Sequence, residues 1–549
     1  MTVSTADEVK SGVNGTPGPD KKDPQVHATP SRNNSNGSTI IQGQPQDDTD
    51  IEADPTVGHT TVLYRDNFMY RWAHRLEQLA GAEARGIERV PEYEREDRKT
   101  CLADYMQMGL IWFSANLTAN NILLGLLGPL TFELGLTDCL ILGTFGSMAG
   151  GAACGYISTF GPMSGNRTLV ISRYTMGWWP SRVCVLLNIV IMLGYGLIDT
   201  LIAGQMLSYV HSHGHGLSIV VGTIIASIIS LAICLFGMDL FHIYERYSFA
   251  PQMLVLFTLI GVAGPKFDFS SPGSLPDSPW TPTLSAMQLS FFFLAMSGPL
   301  AWSAASADFY VYFPPTANRW WVFVSATLGL GLSTAFTVML GSGIASGVAT
   351  DPSWKNAYNV SEGALLVEVF APLGRFGMFC AVVIALGVIA NNVPGTYSAA
   401  LCFQLLGRWL QKVPRIAWTV VGVIIYTICA CVGRNELFSV FHNFLALMGY
   451  WTAIWITLTL EEEFLFRYHR GYDWSAWNSP NELPIGVAAF ISFCIGWVGA
   501  ILGMFQTYFT GPIGALVGEG MDVGIPLGVS WAGLAFPPLR WLELRYLGR

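Results

Sequence analysis

Residues 183–210 read VCVLLNIVIMLGYGLIDTLIAGQMLSYV, and Asp199 carries the only full charge in this run at neutral pH. A helix crosses the hydrocarbon of a bilayer with about 20 mostly apolar residues. This stretch therefore predicts a transmembrane helix. Eleven other stretches meet the same test, and the twelve centre near Asn116, Gly150, Val190, Ile225, Leu256, Leu294, Leu330, Ala385, Ile424, Leu447, Cys494 and Val529. The sequence thus predicts an all-α membrane protein with about twelve spans.

Composition supports this fold class and excludes others. The 549 residues are 51% hydrophobic and only 12% charged, whereas a soluble domain carries about a quarter charged residues. Most of the ten cysteines lie in apolar stretches, without the spacing of a disulfide framework or a zinc site. The run His211-Ser-His213-Gly-His215 is read as a loop rather than a metal site. We expect no metal or organic cofactor, no nucleic-acid partner, and a lipid bilayer as the surroundings.

Three regions follow from the distribution of apolar residues. Residues 1–60 are rich in Gly, Ser, Asn, Asp and Pro, which predicts a disordered tail. This tail is a candidate binding region for trafficking machinery. Residues 61–100 form a juxtamembrane segment, and residues 101–549 form the twelve-span domain. With the N-terminus inside, the inner loops and C-terminal tail hold thirteen Lys and Arg residues and the outer loops four. Positive residues favour the cytoplasmic side, so both termini are predicted to be cytoplasmic.

Few residues in the spans carry ionisable or amide side chains, which are costly to expose to lipid. Asp199 lies in the middle of the third span, where a carboxylate costs roughly 2.5 to 3.5 kcal/mol. It is read as a functional residue, with a helix-packing role as the alternative. The eighth span carries Asn391-Asn392-Val-Pro394-Gly395, where a proline removes a backbone donor beside two amides. This pattern predicts a kinked or unwound helix whose amides face a cavity, with amides that recap the backbone of a structural kink as the alternative.

The first and sixth spans are unusual as well. The first holds Ser114 and Asn116 within a polar run that extends to Asn121. The sixth holds a Gly298-Pro299 step, which predicts an interruption, followed by Trp302 and Asp308. If spans one to five repeat as six to ten, the first pairs with the sixth and the third with the eighth. Interrupted or polar segments at corresponding positions predict a transporter of inverted repeats with its substrate site at the midplane.

Two further features concern ligand stacking and proton coupling. Tyr195 and Trp302 are candidates to stack on a flat ligand, although aromatic side chains also pack commonly between helices. Glu245 lies at the start of the fifth span beside Arg246. It is either half of an interfacial ion pair or a coupling or gating residue. Asp199, Asp308 and Pro394 are the other coupling or gating candidates.

Several motifs together resemble the fungal purine-cytosine permeases within nucleobase:cation symporter family one, from about Glu83 to the C-terminus. They are Phe160-Gly-Pro-Met-Ser-Gly165, Ser172-Arg-Tyr174, Tyr244-Glu-Arg-Tyr247, Ala307-Asp308 with Tyr312 and Pro314, Ala390-Asn-Asn-Val-Pro394, Gly449-Tyr-Trp451 and Gly548-Arg549. The resemblance implies a five-plus-five inverted repeat of the leucine-transporter type with two extra C-terminal helices. It also implies proton-coupled uptake of purines and cytosine at the plasma membrane.

The resemblance further implies that Ser114 and Asn116 match a helix-one pair linked to binding. It implies that Glu245 matches an acidic residue of helix five, and that Asn391, Asn392 and Pro394 match a helix-eight motif. This chain departs from the family pattern at three positions that bear on substrate choice. Tyr195 and Asp199 stand where Trp and Asn are typical, and Gly395 stands in place of an Asn.

An ionised Asp accepts but cannot donate hydrogen bonds, so Asp199 favours a ligand with N–H groups or positive charge. An amino-bearing purine, or a vitamin B6-type or cationic heterocycle, meets that requirement. A non-transporting ligand receptor is the remaining alternative. An enzyme is not expected, since no pairing of a nucleophile with a base stands out.

Overall fold

The computed structural model describes residues 86–95, 100–210, 217–236, 238–270, 282–517 and 520–549; side chains at 236–249 and 282–283 are outside this description. The predicted tail at 1–60 and most of the juxtamembrane segment lie outside the described residues. A 3-10 turn at Glu92–Glu94 precedes the first span.

The first five spans include one broken helix. Span 1 consists of α1 (Leu102–Ala115) and α2 (Ala119–Thr131), which are bent by 60° relative to each other. Span 2 is α3 (Leu136–Ser158), followed by the short helices α4 (Phe160–Ser164), α5 (Thr168–Ile171) and α6 (Arg173–Met176). Spans 3, 4 and 5 are α7 (Ser181–Val210), α8 (Ile219–Phe236) and α9 (Met238–Ala263), and a 3-10 turn at Gly264–Lys266 ends the last of them.

The next five spans include a helix that changes type. Span 6 begins as α10 (Pro282–Ala301) and continues as a 3-10 helix at Trp302–Tyr310. Span 7 is α11 (Arg319–Val348), followed by α12 (Pro352–Val360), α13 (Glu362–Glu368) and a 3-10 turn at Ala371–Leu373. Spans 8, 9 and 10 are α14 (Gly374–Leu405), α16 (Arg415–Val432) and α17 (Leu437–Glu461), with α15 (Arg408–Gln411) before span 9 and a π-helical extension of span 10 at Glu462–Arg467.

Two more spans complete the described chain. After a 3-10 turn at Trp474–Asn478, span 11 is α18 (Val487–Gly503). A two-stranded antiparallel hairpin of β1 (Phe505–Gln506) and β2 (Phe509–Thr510), then α19 (Pro512–Leu516), leads to span 12, α20 (Gly524–Leu547). Among the described residues, seven helices are long and apolar enough to cross a bilayer unaided, or eight with span 1 counted as one. Every predicted span centre lies in one of these twelve segments.

Small residues let the spans approach closely. A Cβ added at Gly125 in span 1 would lie 2.1 Å from the carbonyl oxygen of Val338, and one at Gly341 in span 7 would lie 2.0 Å from that of Ile122. Such contacts are typical of membrane helices, which pack through van der Waals contact because lipid offers no hydrophobic drive for association. The backbones of spans 1 and 7 are therefore in direct contact.

The packing of the ten spans repeats itself. Span 2 packs on span 7, and span 3 packs on span 8. If spans 1–5 correspond to spans 6–10, exchanging the two halves leaves each of these pairs unchanged. Other contacts match under the same exchange. The contact of spans 1 and 7 matches that of spans 6 and 2, and the contact of spans 3 and 4 matches that of spans 8 and 9. The contact of spans 4 and 8 matches that of spans 9 and 3, and the contact of spans 5 and 1 matches that of spans 10 and 6. This arrangement is the predicted five-plus-five repeat.

Two local predictions about helix breaks need correction. Span 8 remains one α-helix through Pro394, so the predicted unwinding is wrong, while a kink there stays a prediction. The side chains just before the proline bond to three neighbouring spans. Span 6 remains α-helical through Gly298-Pro299, and the change to 3-10 geometry begins only at Trp302.

Candidate functional site

Asp199 is the centre of a buried polar cluster. Its Oδ1 accepts a hydrogen bond from Asn120 Nδ2 at 3.0 Å, and its Oδ2 accepts one from Asn391 Nδ2 at 3.4 Å. We call Asn120, Asp199 and Asn391 the carboxylate cluster; it joins spans 1, 3 and 8. Asn391 Oδ1 is buried and accepts no hydrogen bond from the described residues. Since buried polar atoms are nearly always paired, this oxygen is available to a ligand or a water molecule.

The break in span 1 places Asn120 in the cluster. Asn120 Oδ1 accepts from the Asn121 amide at 2.7 Å and from the Thr118 hydroxyl, which orients the side chain. Asn116 caps the end of α1, its Nδ2 donating to the Trp112 carbonyl at 2.9 Å. The predicted site residues Ser114 and Asn116 are thus buried at the break itself. Asn120 belonged to the polar run visible in the sequence, but nothing there distinguished it from its neighbours as the partner of Asp199.

The two predicted stacking residues lie together. The rings of Tyr195 and Trp302 are 6.3 Å apart between centroids and inclined by 20°. Tyr195 also donates a hydrogen bond from its hydroxyl to the Gly298 carbonyl at 3.3 Å, and Phe444 of span 10 meets its ring edge-on. We call Tyr195 and Trp302 the ring pair. Tyr195 is one helical turn from Asp199 on α7, so the ring pair adjoins the carboxylate cluster.

The other span 8 candidates separate into two groups. Asn392 donates to Ser230 Oγ at 3.4 Å and to the Tyr426 hydroxyl at 3.1 Å, and accepts from Thr396 Oγ1 at 3.2 Å. These bonds direct Asn392 toward spans 4 and 9. Gly395, one turn after Asn391, would bring an added Cβ only to Met192 Sδ, at 3.8 Å. Gly395 therefore shares the face of Asn391 and leaves space there.

Of the coupling or gating candidates, Asp308 lies away from the carboxylate cluster. Asp308 Oδ1 accepts from the Thr168 amide at 2.6 Å and from its hydroxyl at 2.8 Å, which ties span 6 to α5. The side chain of Glu245 lies outside the described part of the chain. Asp308 lies at what we call the Arg95 end, where Arg95 donates to the Pro162 carbonyl at 2.6 Å and the Val90 amide donates to the Gly165 carbonyl at 2.9 Å. The segment at 86–95 therefore covers this end of spans 2 and 6.

The opposite end, which we call the Asp522 end, holds a cavity of about 240 Å³. It extends from the hairpin inward to Ser297, the residue before Gly298. Burial raises the pKa of Asp522 to about 6, although hydrogen bonds from Tyr450, the Gly524 amide and Gln506 lower it. Among the described residues, no group of three His, Cys, Asp or Glu side chains could hold a metal ion. The histidines at 211–215 lie outside those residues.

Comparison with known proteins gives matches over most of the chain. The family described as "Permease for cytosine/purines, uracil, thiamine, allantoin" matches residues 90–472. Purine-cytosine permease FCY2 of Saccharomyces cerevisiae is 33% identical over 487 residues, covering 87% of this chain and 89% of that protein. Purine-cytosine permease fcyB of Emericella nidulans is 33% identical, covering 92% and 97%. Vitamin B6 transporter TPN1 of Saccharomyces cerevisiae is 30% identical, covering 87% and 90%.

Solved structures match the fold. Mhp1, described as a nucleobase-cation-symport-1 family transporter and solved in a closed conformation with bromovinylhydantoin bound, superposes with a TM-score of 0.63 at 13% identity. The match covers 84% of this chain and 96% of that one. The inward-facing conformation of Mhp1 gives a TM-score of 0.59 with the same coverage. At this level of identity the likeness shows the fold, and the predicted transporter architecture is confirmed.

Proposed function

The chain belongs to the family of permeases for cytosine/purines, uracil, thiamine and allantoin, and from this premise we propose that it takes up a purine base, cytosine or a closely related nitrogen heterocycle together with a proton. The fold is that of a secondary transporter. We propose a plasma-membrane location, as the resemblance implies. We also propose that both termini are cytoplasmic, because Lys and Arg are concentrated in the loops on that side. The Asp522 end is then the outer one.

The observation that carries the proposal is the carboxylate cluster beside the ring pair. A flat heterocycle gains stacking contact with the rings of Tyr195 and Trp302. Its N–H groups find acceptors in Asp199 and in Asn391 Oδ1, the oxygen that accepts no hydrogen bond from the described residues. Few small solutes offer both a flat face and an edge of N–H donors, and nucleobases do. Gly395 leaves room for the ring on the same face of span 8.

Asp199 is the proposed proton carrier. Protonation removes its charge from the membrane interior and turns one of its oxygens into a donor, which a ring nitrogen or carbonyl of the substrate can accept. The loaded and protonated carrier changes conformation, and the proton and substrate leave on the cytoplasmic side. Only a difference in affinity between the two conformations can move the equilibrium between them. Substrate and proton acting on one cluster provide such a difference.

One observation favours a second substrate class. Asp199 stands where an Asn is typical of the purine-cytosine permeases, and an anionic side chain suits a protonated pyridine ring better than an amide does. The match to a vitamin B6 transporter at 30% identity supports this candidate. The two classes differ in net charge, so competition between labelled adenine and pyridoxine separates them.

The test is uptake of labelled bases by cells that lack their own permeases, with the parent protein and Asp199→Asn. We expect uptake by the parent to increase at low external pH. In the variant, the pH stimulation is lost and the order of preferred substrates changes. Folding tolerates the change, because Asn391 Oδ1 can accept the new amide hydrogen.

Asp138→Asn is the matched control. Asp138 also accepts from an amide, Gln288 Nε2 at 2.9 Å, but at the outer start of span 2, so its loss leaves pH stimulation unchanged. No pH-stimulated uptake by the parent, for bases or for pyridoxine, contradicts the proposal. Failure of Asp199→Asn to reach the cell surface assigns the aspartate a structural role instead.

A further inference from the structure

The cavity at the Asp522 end has walls from five parts of the chain, and we call it the Gln506 pocket. Phe132 follows span 1, Phe293 belongs to span 6, His442 belongs to span 10, Gln506 belongs to the hairpin, and Asp522 belongs to the loop before span 12. The volume of about 240 Å³ lies just below the range of about 300 to 1,000 Å³ usual for drug-sized ligands. The pocket is therefore suited to a single small ring system.

One wall of the pocket is a fixed polar network around Asp522. Tyr450 donates its hydroxyl to Asp522 Oδ2 at 2.6 Å, and the Gly524 amide donates to Oδ1 at 2.9 Å. The Asp522 amide donates to Ser290 Oγ at 3.0 Å. These bonds join the loop before span 12 to spans 6 and 10.

Gln506 is oriented by the same network. Its Nε2 donates to Asp522 Oδ2 at 2.5 Å and to the Tyr450 hydroxyl at 3.0 Å. A carboxylate needs a donor, so the amide nitrogen must face Asp522, and the orientation of the carboxamide is settled by chemistry. Gln506 is only 6% exposed, and its Oε1 is buried without a hydrogen-bond partner among the described residues. An unpaired buried acceptor costs about 1 to 3 kcal/mol, which a donating ligand would recover.

We infer that the Gln506 pocket is a second ligand site, which binds one flat nitrogen heterocycle through an N–H group donated to Gln506 Oε1. The aromatic side chains of Phe132, Phe293 and Phe505 supply the apolar contacts for the ring. This inference rests on the proposed function, since it takes the transported class of molecule as the occupant. It adds a binding step before the ring pair and the carboxylate cluster.

The pocket leads toward the ring pair. Ser297 lines its inner end, and the next residue, Gly298, accepts the hydrogen bond of Tyr195. A heterocycle leaving the Gln506 pocket inward therefore meets Tyr195 next. Both sites can be filled at once, because they are built from different side chains.

The experiment counts bound ligand. Purified full-length protein is dialysed to equilibrium against labelled adenine, with labelled cytosine and labelled pyridoxine as further probes. We expect two equivalents bound by the parent and one by Gln506→Leu, which keeps the size of the side chain and removes the acceptor. Ala446→Phe, which fills the pocket without touching the polar network, also leaves one equivalent and serves if the first variant fails to fold.

Gln288→Leu is the matched control, because Gln288 likewise donates to an aspartate but does not line the pocket, and it retains two equivalents. A parent that shows pH-stimulated uptake yet binds one equivalent, unchanged by Gln506→Leu and Ala446→Phe, overturns the second site alone. A parent that neither binds nor transports any of the probes overturns the proposed function, and the second site with it.

Discussion

At the scale of single residues, the carboxylate cluster shows what a carboxylate in mid-span requires. Burial of the charge is costly there, and Asn120 and Asn391 each donate an amide hydrogen to Asp199. The sequence indicates this need for partners, while the role of Asp199 in binding or coupling stays a prediction. Asn391 and Asn392 are indistinguishable in the sequence, yet one bonds to Asp199 and the other to spans 4 and 9. Which of two adjacent amides faces the cluster depends on helix rotation, which tertiary packing sets.

Gly395 provides a prediction at this scale. Gly395→Ala should stabilise the protein by about 0.5 to 1 kcal/mol, because alanine is the better helix former and its Cβ meets only Met192 Sδ, at 3.8 Å. The added methyl group narrows the proposed substrate space, so we expect the KM for adenine to rise more than that for the smaller cytosine. Thermal unfolding in detergent and uptake kinetics measure the two effects.

Gly196→Ala is the matched control for that change. A Cβ there would lie 2.6 Å from the ring of Tyr426, so destabilisation is expected instead. Equal KM changes for both bases after Gly395→Ala would show that this face of span 8 does not touch the substrate.

At the scale of helices, proline was a poor guide to where a helix is interrupted, and the break in span 1 was not predicted, although the polarity of that span was noted. The polar run of span 1 marks a real break of 60°. Pro394 and the Gly298-Pro299 step do not break their helices, because a proline removes one backbone bond while packing from neighbouring spans retains the rest. The span 6 transition at Trp302 carries no proline and was placed a few residues too early.

The contact between span 6 and α5 gives a second prediction. Asp308→Ala removes two hydrogen bonds to Thr168, and a bond to a charged group is worth about 1.5 to 3 kcal/mol. Asp308 is partly exposed, so we expect a loss of about 2 kcal/mol, seen as a lower melting temperature, with substrate preference unchanged. Asp268→Ala, which removes a similar pair of bonds to the exposed Ser270, should cost much less. A changed substrate order in Asp308→Ala would instead place this residue near the substrate.

At the scale of the whole molecule, the repeat accounts for ten spans, and the last two are attached by a buried ion network. Arg540 of span 12 donates to both carboxylate oxygens of Glu462, at 2.9 and 3.0 Å, and its guanidinium also bonds to Glu543. Arg467 pairs with Glu462 as well, at 2.8 Å. Span 12 is therefore fastened to span 10 and its π-helical extension through charges removed from water.

Breaking this network should destabilise the protein as a whole. Arg540→Met leaves Glu462 and Glu543 short of a counter-charge, and losing one partner of a buried pair costs about 3 to 5 kcal/mol. We expect the lower end of that range, because Arg467 remains. Adding Glu462→Gln to Arg540→Met should restore part of the loss in melting temperature. Arg545→Met, which removes an arginine stacked on Trp541, is the control. An equal loss of melting temperature in that variant would mean that Arg540 stabilises the protein no more than an arginine outside the network.

The ring pair has a consequence for how the two halves of the protein move. Tyr195 belongs to the first repeat and Trp302 to the second, and their centroids are 6.3 Å apart. A planar molecule between them needs a contact distance of about 3.5 Å on each side, roughly 7 Å in all. A base that slides between the rings must therefore act as a spacer and push the two repeats apart. Binding of the substrate would then itself weaken the contact between the two repeats.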